Sequence, residues 1–135
     1  MKPARELMNP RVVRLPGAMS LREFSDALPS HPEDICFVVD DGKRIAGVIT
    51  MEAALKAIGQ PGGATILSEV ASADYAIVTT ETSVFEIITK MRLDETHIFL
   101  VTPASSSGPP GKFEGWISKT TIADSLIDAI ELFAD

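Results

Sequence analysis

A chain of 135 residues, 45% of them hydrophobic, can bury a sizeable core, as one domain or as two small halves sharing it. A net charge of −7 with no basic cluster argues against nucleic acid as a partner, because phosphate-backbone binding needs a stripe of Lys and Arg. No apolar run approaches the roughly 18 residues needed to cross a bilayer, the start Met1 to Glu6 is too charged for a secretory signal, and a single cysteine fits a reducing compartment, so a soluble cytoplasmic chain is expected.

Ala4 to Asn9 carry Leu7 and Met8 and read as a short lead-in closed by Pro10. Val12, Val13 and Leu15 predict a short strand, stopped by Pro16-Gly17. Ser20-Leu21-Arg22-Glu23 is a capping-box sequence, and Leu21, Phe24 and Leu28 place one apolar face on the helix it begins, which Pro29 and Pro32 close. Two β-branched runs, Ile35 to Val39 and Ile45 to Ile49, flank Asp40-Asp41-Gly42-Lys43 and predict a hairpin. Cys36 lies inside the first run with no charged neighbour and reads as a buried, inert thiol. The second run ends Gly47-Val48-Ile49-Thr50 and passes into Met51 to Ile58, a helix capped by Thr50; Gly59 closes it and Pro61-Gly62-Gly63 is a linker.

The pattern then repeats. A shift of 63 residues puts Val70 on Leu7, Tyr75 to Val78 on Val12 to Leu15, Ser83 and Glu86 on Ser20 and Glu23, and Ile98 to Val101 on Ile35 to Val38. A shift of 68 puts Phe113-Glu114-Gly115-Trp116-Ile117-Ser118 on Ile45 to Thr50, the extra residues falling in the Ser-, Gly- and Pro-rich turn Thr102 to Lys112. Val84, Ile87, Ile88 and Met91 make one helix face, and Ile122, Leu126, Ile127 and Ile130 the face of a closing helix capped by Ser118. The expected division is a first repeat over 1–60, a linker over 61–66 and a second repeat over 67–135. Each repeat reads strand, helix, strand, strand, helix, an α/β (α+β-like) unit whose three-stranded sheet is too small to cover both its faces alone. Burying Leu21, Phe24, Leu55 and Ile58 with Val84, Ile87, Ile122 and Leu126 is expected to need the other half and a second chain.

This order of elements, its tandem copy and the Gly-hydrophobic-hydrophobic-Ser/Thr step into the last helix resemble a pair of cystathionine-β-synthase (CBS) domains over roughly Arg5 to Leu132. The resemblance implies two β-α-β-β-α repeats packed with pseudo-twofold symmetry, acting as a regulatory module that senses an adenine nucleotide such as AMP, ADP or ATP, or a related adenosyl ligand. It also implies a homodimer, and fusion to or control of a chloride channel, another transporter or an enzyme. In the family pattern Gly-h-h-Ser/Thr-x-x-Asp, the hydroxyl and the Asp hold ribose or phosphate. Gly47, Thr50 and Ala53 occupy those positions in the first repeat, where Glu52 also competes with a phosphate for the helix N-terminus. Gly115, Ser118 and Thr121 occupy them in the second, with Lys119 as a cation beside them, so the second repeat carries the better site.

Arg14 and Tyr75, on the first strand of each repeat, lie where the resemblance lines a cleft; as a surface charge Arg14 needs no ligand. Ser118 and Thr50 also serve as plain helix caps, and Trp116 as core or interface rather than a base-stacking surface. His31 and His97 lack partners at metal-ligand spacing, so no metal is expected. No nucleophile with its base, phosphate loop or zinc motif occurs, so an autonomous enzyme is not expected. The rival reading is a ligand-free module that only holds subunits together, which Ala53 and Thr121 favour.

Overall fold

The computed structural model describes residues 2–60, 65–105 and 111–133, with side chains of the closing helix as far as Leu126. The Pro61 to Gly63 linker, the middle of the second hairpin's turn (106–110) and the side chains of Ile127 and Ile130 lie outside the described residues. Packing divides the chain into a first unit, Arg11–Asp74, and a second made of Met1–Pro10 with Tyr75–Asp135.

In the first unit β1 (Val12–Pro16), β2 (Cys36–Asp41) and β3 (Arg44–Ile49) form one sheet in that order. β1 runs parallel to β2, which demands a crossover, and α1 (Leu21–Asp26) supplies it; β3 returns antiparallel through a tight hairpin. The hairpin turns on Gly42 and Lys43, with Gly42 at φ +71°, a conformation that favours glycine at the first central position of a type II′ turn. α2 (Met51–Ile58) follows β3, and a single turn, α3 (Leu67–Val70), completes the unit. Ser20 Oγ accepts the Glu23 N–H at 3.0 Å and Thr50 Oγ1 the Ala53 N–H at 3.1 Å, so both longer helices start at the caps read from sequence, each worth about 1 kcal/mol.

The second unit repeats the plan with β4 (Ala76–Thr79), α4 (Val84–Leu93), β5 (Ile98–Thr102), β6 (Gly115–Ser118) and α5 (Lys119–Phe133), the strands ordered β4-β5-β6 with the same directions. Ser83 Oγ caps α4 by accepting the Glu86 N–H at 3.1 Å. Each unit has its own core on the helix side of its sheet. Phe37, Val39 and Ile49 meet Leu21, Phe24, Ala54 and Leu67 in the first; Phe99, Val101 and Ile117 meet Ala4, Ile87 and Ile122 in the second. Phe24 and Phe37 pack edge to face, ring centroids 5.0 Å apart.

These cores correct the reading of the apolar helix faces. Leu21, Phe24, Ile87 and Ile122 are buried within their own units and need no second chain; Leu55, Ile58 and Leu126 stay exposed, joined by Phe85 and Leu93. The physical reason is that a helix as short as α1 spends its single apolar stripe on the sheet beneath it.

The lead-ins are exchanged between repeats. Residues before β1 pack on the second unit, where Ala4 N–H donates to Thr82 O (2.8 Å), Arg5 N–H to Thr80 O (3.0 Å), and Lys2 O accepts from Val84 N–H (2.9 Å). Residues before β4 make the matching set on the first unit: Leu67 N–H to Met19 O (2.9 Å), Ser68 N–H to Gly17 O (3.0 Å), and Leu21 N–H to Thr65 O (2.8 Å). Ala4 and Leu67, equivalent by the repeat, are each fully buried in the unit that receives them. Each lead-in then lays a short bridge on the last strand: Ser72 trades two backbone hydrogen bonds with Val48, and Asn9 two with Trp116. The approach is so close that a Cβ on Gly47 would stand 2.4 Å from Ser72 O, and one on Gly115 2.7 Å from Asn9 O. The glycine of the Gly-hydrophobic-hydrophobic-Ser/Thr step is therefore the place where the lead-in crosses.

Candidate functional site

Strand register decides which candidate residues share an end of a sheet. In the second unit Ser118 pairs with Ile98 on β5, and Ala76 of β4 pairs with the next residue, Phe99. Tyr75, Ile98 and Ser118 therefore form a row across the sheet, and two strand spacings put Tyr75 and Ser118 about 10 Å apart. α5 starts from that row, so Lys119 and Thr121 stand at the same end. Tyr75, Ser118 and Thr121 are half-buried and Lys119 is exposed.

Ser118 and Thr121 hold each other. Ser118 N–H donates to Thr121 Oγ1 at 3.2 Å, Thr121 N–H donates to Ser118 Oγ at 3.3 Å, and the two hydroxyl oxygens lie 3.2 Å apart. This is a reciprocal cap in which Thr121 takes the part usually played by Glu or Gln. Each oxygen already accepts one N–H and the pair shares one O–H, so one hydroxyl proton and one lone pair remain for a ligand. The first turn of α5 has no acidic residue, whereas that of α2 carries Glu52. At an N-terminus with a partial positive charge, this leaves the α5 end open to an anion and the α2 end partly occupied by its own carboxylate.

In the first unit Thr50 follows Ile49, which pairs with Phe37, so it lies at the Val12 and Cys36 end of the sheet. Its hydroxyl accepts from Ala53 N–H, and position 53 offers no second polar group. Arg14 is turned toward the opposite end. Its Nε and Nη2 donate to the two carboxylate oxygens of Asp40 at 3.0 and 2.6 Å, a bidentate, part-buried pair four residues, or about 13 Å, along β2 from Cys36. That hydrogen bond to Asp40 raises the Arg14 pKa, against the opposing effect of burial, with Coulombic attraction adding to it. The structure thus brings Ser118, Lys119, Thr121 and Tyr75 together and does not bring Arg14 to Thr50.

Asp40 was missed as Arg14's partner, since Asp40-Asp41 reads as turn. The available signal was the parallel register, which puts Arg14 and Asp40 two residues apart on one face. Trp116 is half-buried in β6, its indole N–H buried with no acceptor among the described residues. Cys36 is 4% exposed, and burial pushes its thiol up to about 12, which leaves it protonated and unreactive at neutral pH. Among the described residues no group of three or more His, Cys, Asp and Glu side chains could hold a metal ion, and no helix is long and apolar enough to cross a membrane.

Two copies of a strand-helix-strand-strand-helix unit, each completed by the other's lead-in, define a tandem α/β module. Residues 4–60 match the CBS-domain family, and the chain as a whole has the fold of the solved CBS-domain structures below. The CBS-domain pair of protein MJ0100, in complex with 5′-methylthioadenosine and S-adenosyl-L-methionine, superposes with a TM-score of 0.72 at 14% identity, covering 96% of this chain and 98% of that one. The CBS domain of the bacterial CNNM/CorC family Mg2+ transporter in complex with ATP gives 0.71 at 14% identity, over 93% and 87%. The cytosolic domain of the Mg2+ channel MgtE in complex with ATP gives 0.66 at 21% identity, over 92% of this chain and 48% of that one, so this chain spans about half its length. No curated protein matches the sequence.

Proposed function

We propose that the chain is a non-catalytic, cytoplasmic regulatory module that senses an adenine nucleotide or related adenosyl ligand on behalf of a transporter or enzyme, working as a homodimer. The observation that carries the reading is the gathering of Tyr75, Ser118, Lys119 and Thr121 at one sheet end, beside a helix N-terminus free of acidic residues in its first turn. There Lys119 meets phosphate, the one free hydroxyl proton of the Ser118 and Thr121 pair meets ribose, and Tyr75 borders the base. Structures of the same fold in complex with ATP, S-adenosyl-L-methionine and 5′-methylthioadenosine support the ligand class, and two of the three belong to a Mg2+ channel or transporter, which favours a cation transporter over a chloride channel as host.

Because no carboxylate stands at position 121 and most of the hydroxyl capacity is spent on the cap, binding is weak, with a Kd from tens of micromolar to millimolar, about 4 to 6 kcal/mol. Calorimetric titration with AMP, ADP and ATP is expected to show such binding, weakened at least tenfold by Lys119→Glu. No heat at millimolar nucleotide would favour the second reading, a ligand-free subunit clamp, for which Ala53 and the closed Ser118 and Thr121 cap speak. Exposed Leu55 and Ile58 on α2, and Phe85 and Leu93 on α4, are among the apolar side chains available to a dimer. Sedimentation at micromolar concentration is expected to give twice the chain mass; a clean monomer would remove the dimer and leave the ligand reading standing.

A further inference from the structure

The two repeats differ at the end of their first long helix. α4 runs to Leu93, whereas α1 stops at Asp26, which the repeat aligns with Thr89. Pro29 takes the place of Arg92, and a proline excludes helix at the residue before it, so the last turn of α4 has no counterpart in the first unit. The space left beneath the missing turn is a cavity of about 260 Å³ between β1, β2 and α1. Val13, Leu15, Met19, Phe24, Leu28 and Phe37 line it, and Pro29 and Ala27 form its rim. None of these side chains carries a charge or a hydrogen-bonding oxygen or nitrogen. The cavity lies on the helix side of the sheet, whereas Arg14 pairs with Asp40 on the alternate positions of β1 and β2.

We propose that this cavity binds a small uncharged apolar molecule, an aromatic ring or a short branched hydrocarbon. A nucleotide, sugar or ion entering it would shed part of its hydration and find no polar side chain in return. The pocket is open to solvent at Val13, Ala27 and Pro29, which gives a guest a way in, and its volume is ample for a single ring. The edge-to-face pair Phe24 and Phe37 gives it an aromatic wall, and the flexible, polarisable Met19 side chain adapts to an irregular guest. The site is independent of the nucleotide site in the second unit, and its ligand is of another class.

Methyl NMR of the full chain tests this with benzene and indole as probes. Saturable shifts are expected at the Met19 and Leu28 methyls, with Met91 and the exposed Leu55, Leu93 and Leu126 still, and a melting temperature raised by about 4 °C at ten times the Kd. Val13→Phe and Ala27→Leu, which fill the space from opposite sides, are expected to weaken the response at least tenfold, and AMP to produce none at these methyls. If Ala27→Leu fails to fold, Val13→Phe on the edge strand carries the comparison. Unsaturable shifts of equal size at the exposed leucines, or an undiminished response in a folded filled variant, would overturn the proposal. So would lining methyls that move on raising protein concentration alone, which would give the cavity to a second copy.

Discussion

Gly47→Ala is expected to cost about 2 to 4 kcal/mol of folding stability in a denaturant titration, and Gly115→Ala nearly as much. At Gly47 the added methyl would stand 2.4 Å from Ser72 O, and φ is +155°, a conformation that side-chain-bearing residues rarely adopt. The clash can be relieved only by pushing the lead-in away, which breaks the two hydrogen bonds, 3.0 and 2.8 Å, between Val48 and Ser72. At Gly115 one neighbour is backbone, Asn9 O at 2.7 Å, while the other is the Met8 side chain, which can move, so the cost is somewhat smaller. Unfolding midpoints for both variants within about 0.5 kcal/mol of the parent would show that the lead-ins do not cross at these glycines.

Leu67→Ala is expected to cost about 2 to 5 kcal/mol, a large share of the 5 to 15 kcal/mol that holds a typical domain. Leu67 belongs to the second repeat by sequence, yet it is fully buried against Phe24, Phe37 and their neighbours in the first unit. Its counterpart, Ala4, fills the same place in the second unit with a methyl alone. Hydrogen exchange is therefore expected to show lost protection at Phe37 and Val39, with Phe99 and Val101 retained. Loss confined to Phe99 and Val101 would mean that each lead-in serves its own repeat.

The order of elements was legible because strands and helices carry different periodicities and because one copy checked the other. The capping sequence at Ser20 reappears at Ser83, and both serines do cap helices. The exchange of lead-ins was not legible, since a repeat shows which residues are equivalent and says nothing of which copy they pack on. Thr121 was read only as standing where the family pattern has Asp, although its spacing from Ser118 is the same three residues that marked Ser20 and Glu23 as a capping box. Arg14 was read as a surface charge or a cleft residue because its partner, Asp40, is near only once β1 and β2 lie side by side in parallel register. Leu21 and Phe24 were assigned to an interface because helical spacing marks a buried face without naming what buries it.

Amide NMR of the chain titrated with ATP reads directly where a nucleotide binds. The largest shifts are expected at Tyr75, Ser118, Lys119 and Thr121, with Thr50 and Ala53 moving less and Arg14 and Asp40 still. Shifts centred on Thr50 and Arg14, or none at millimolar ATP, would contradict the proposed site.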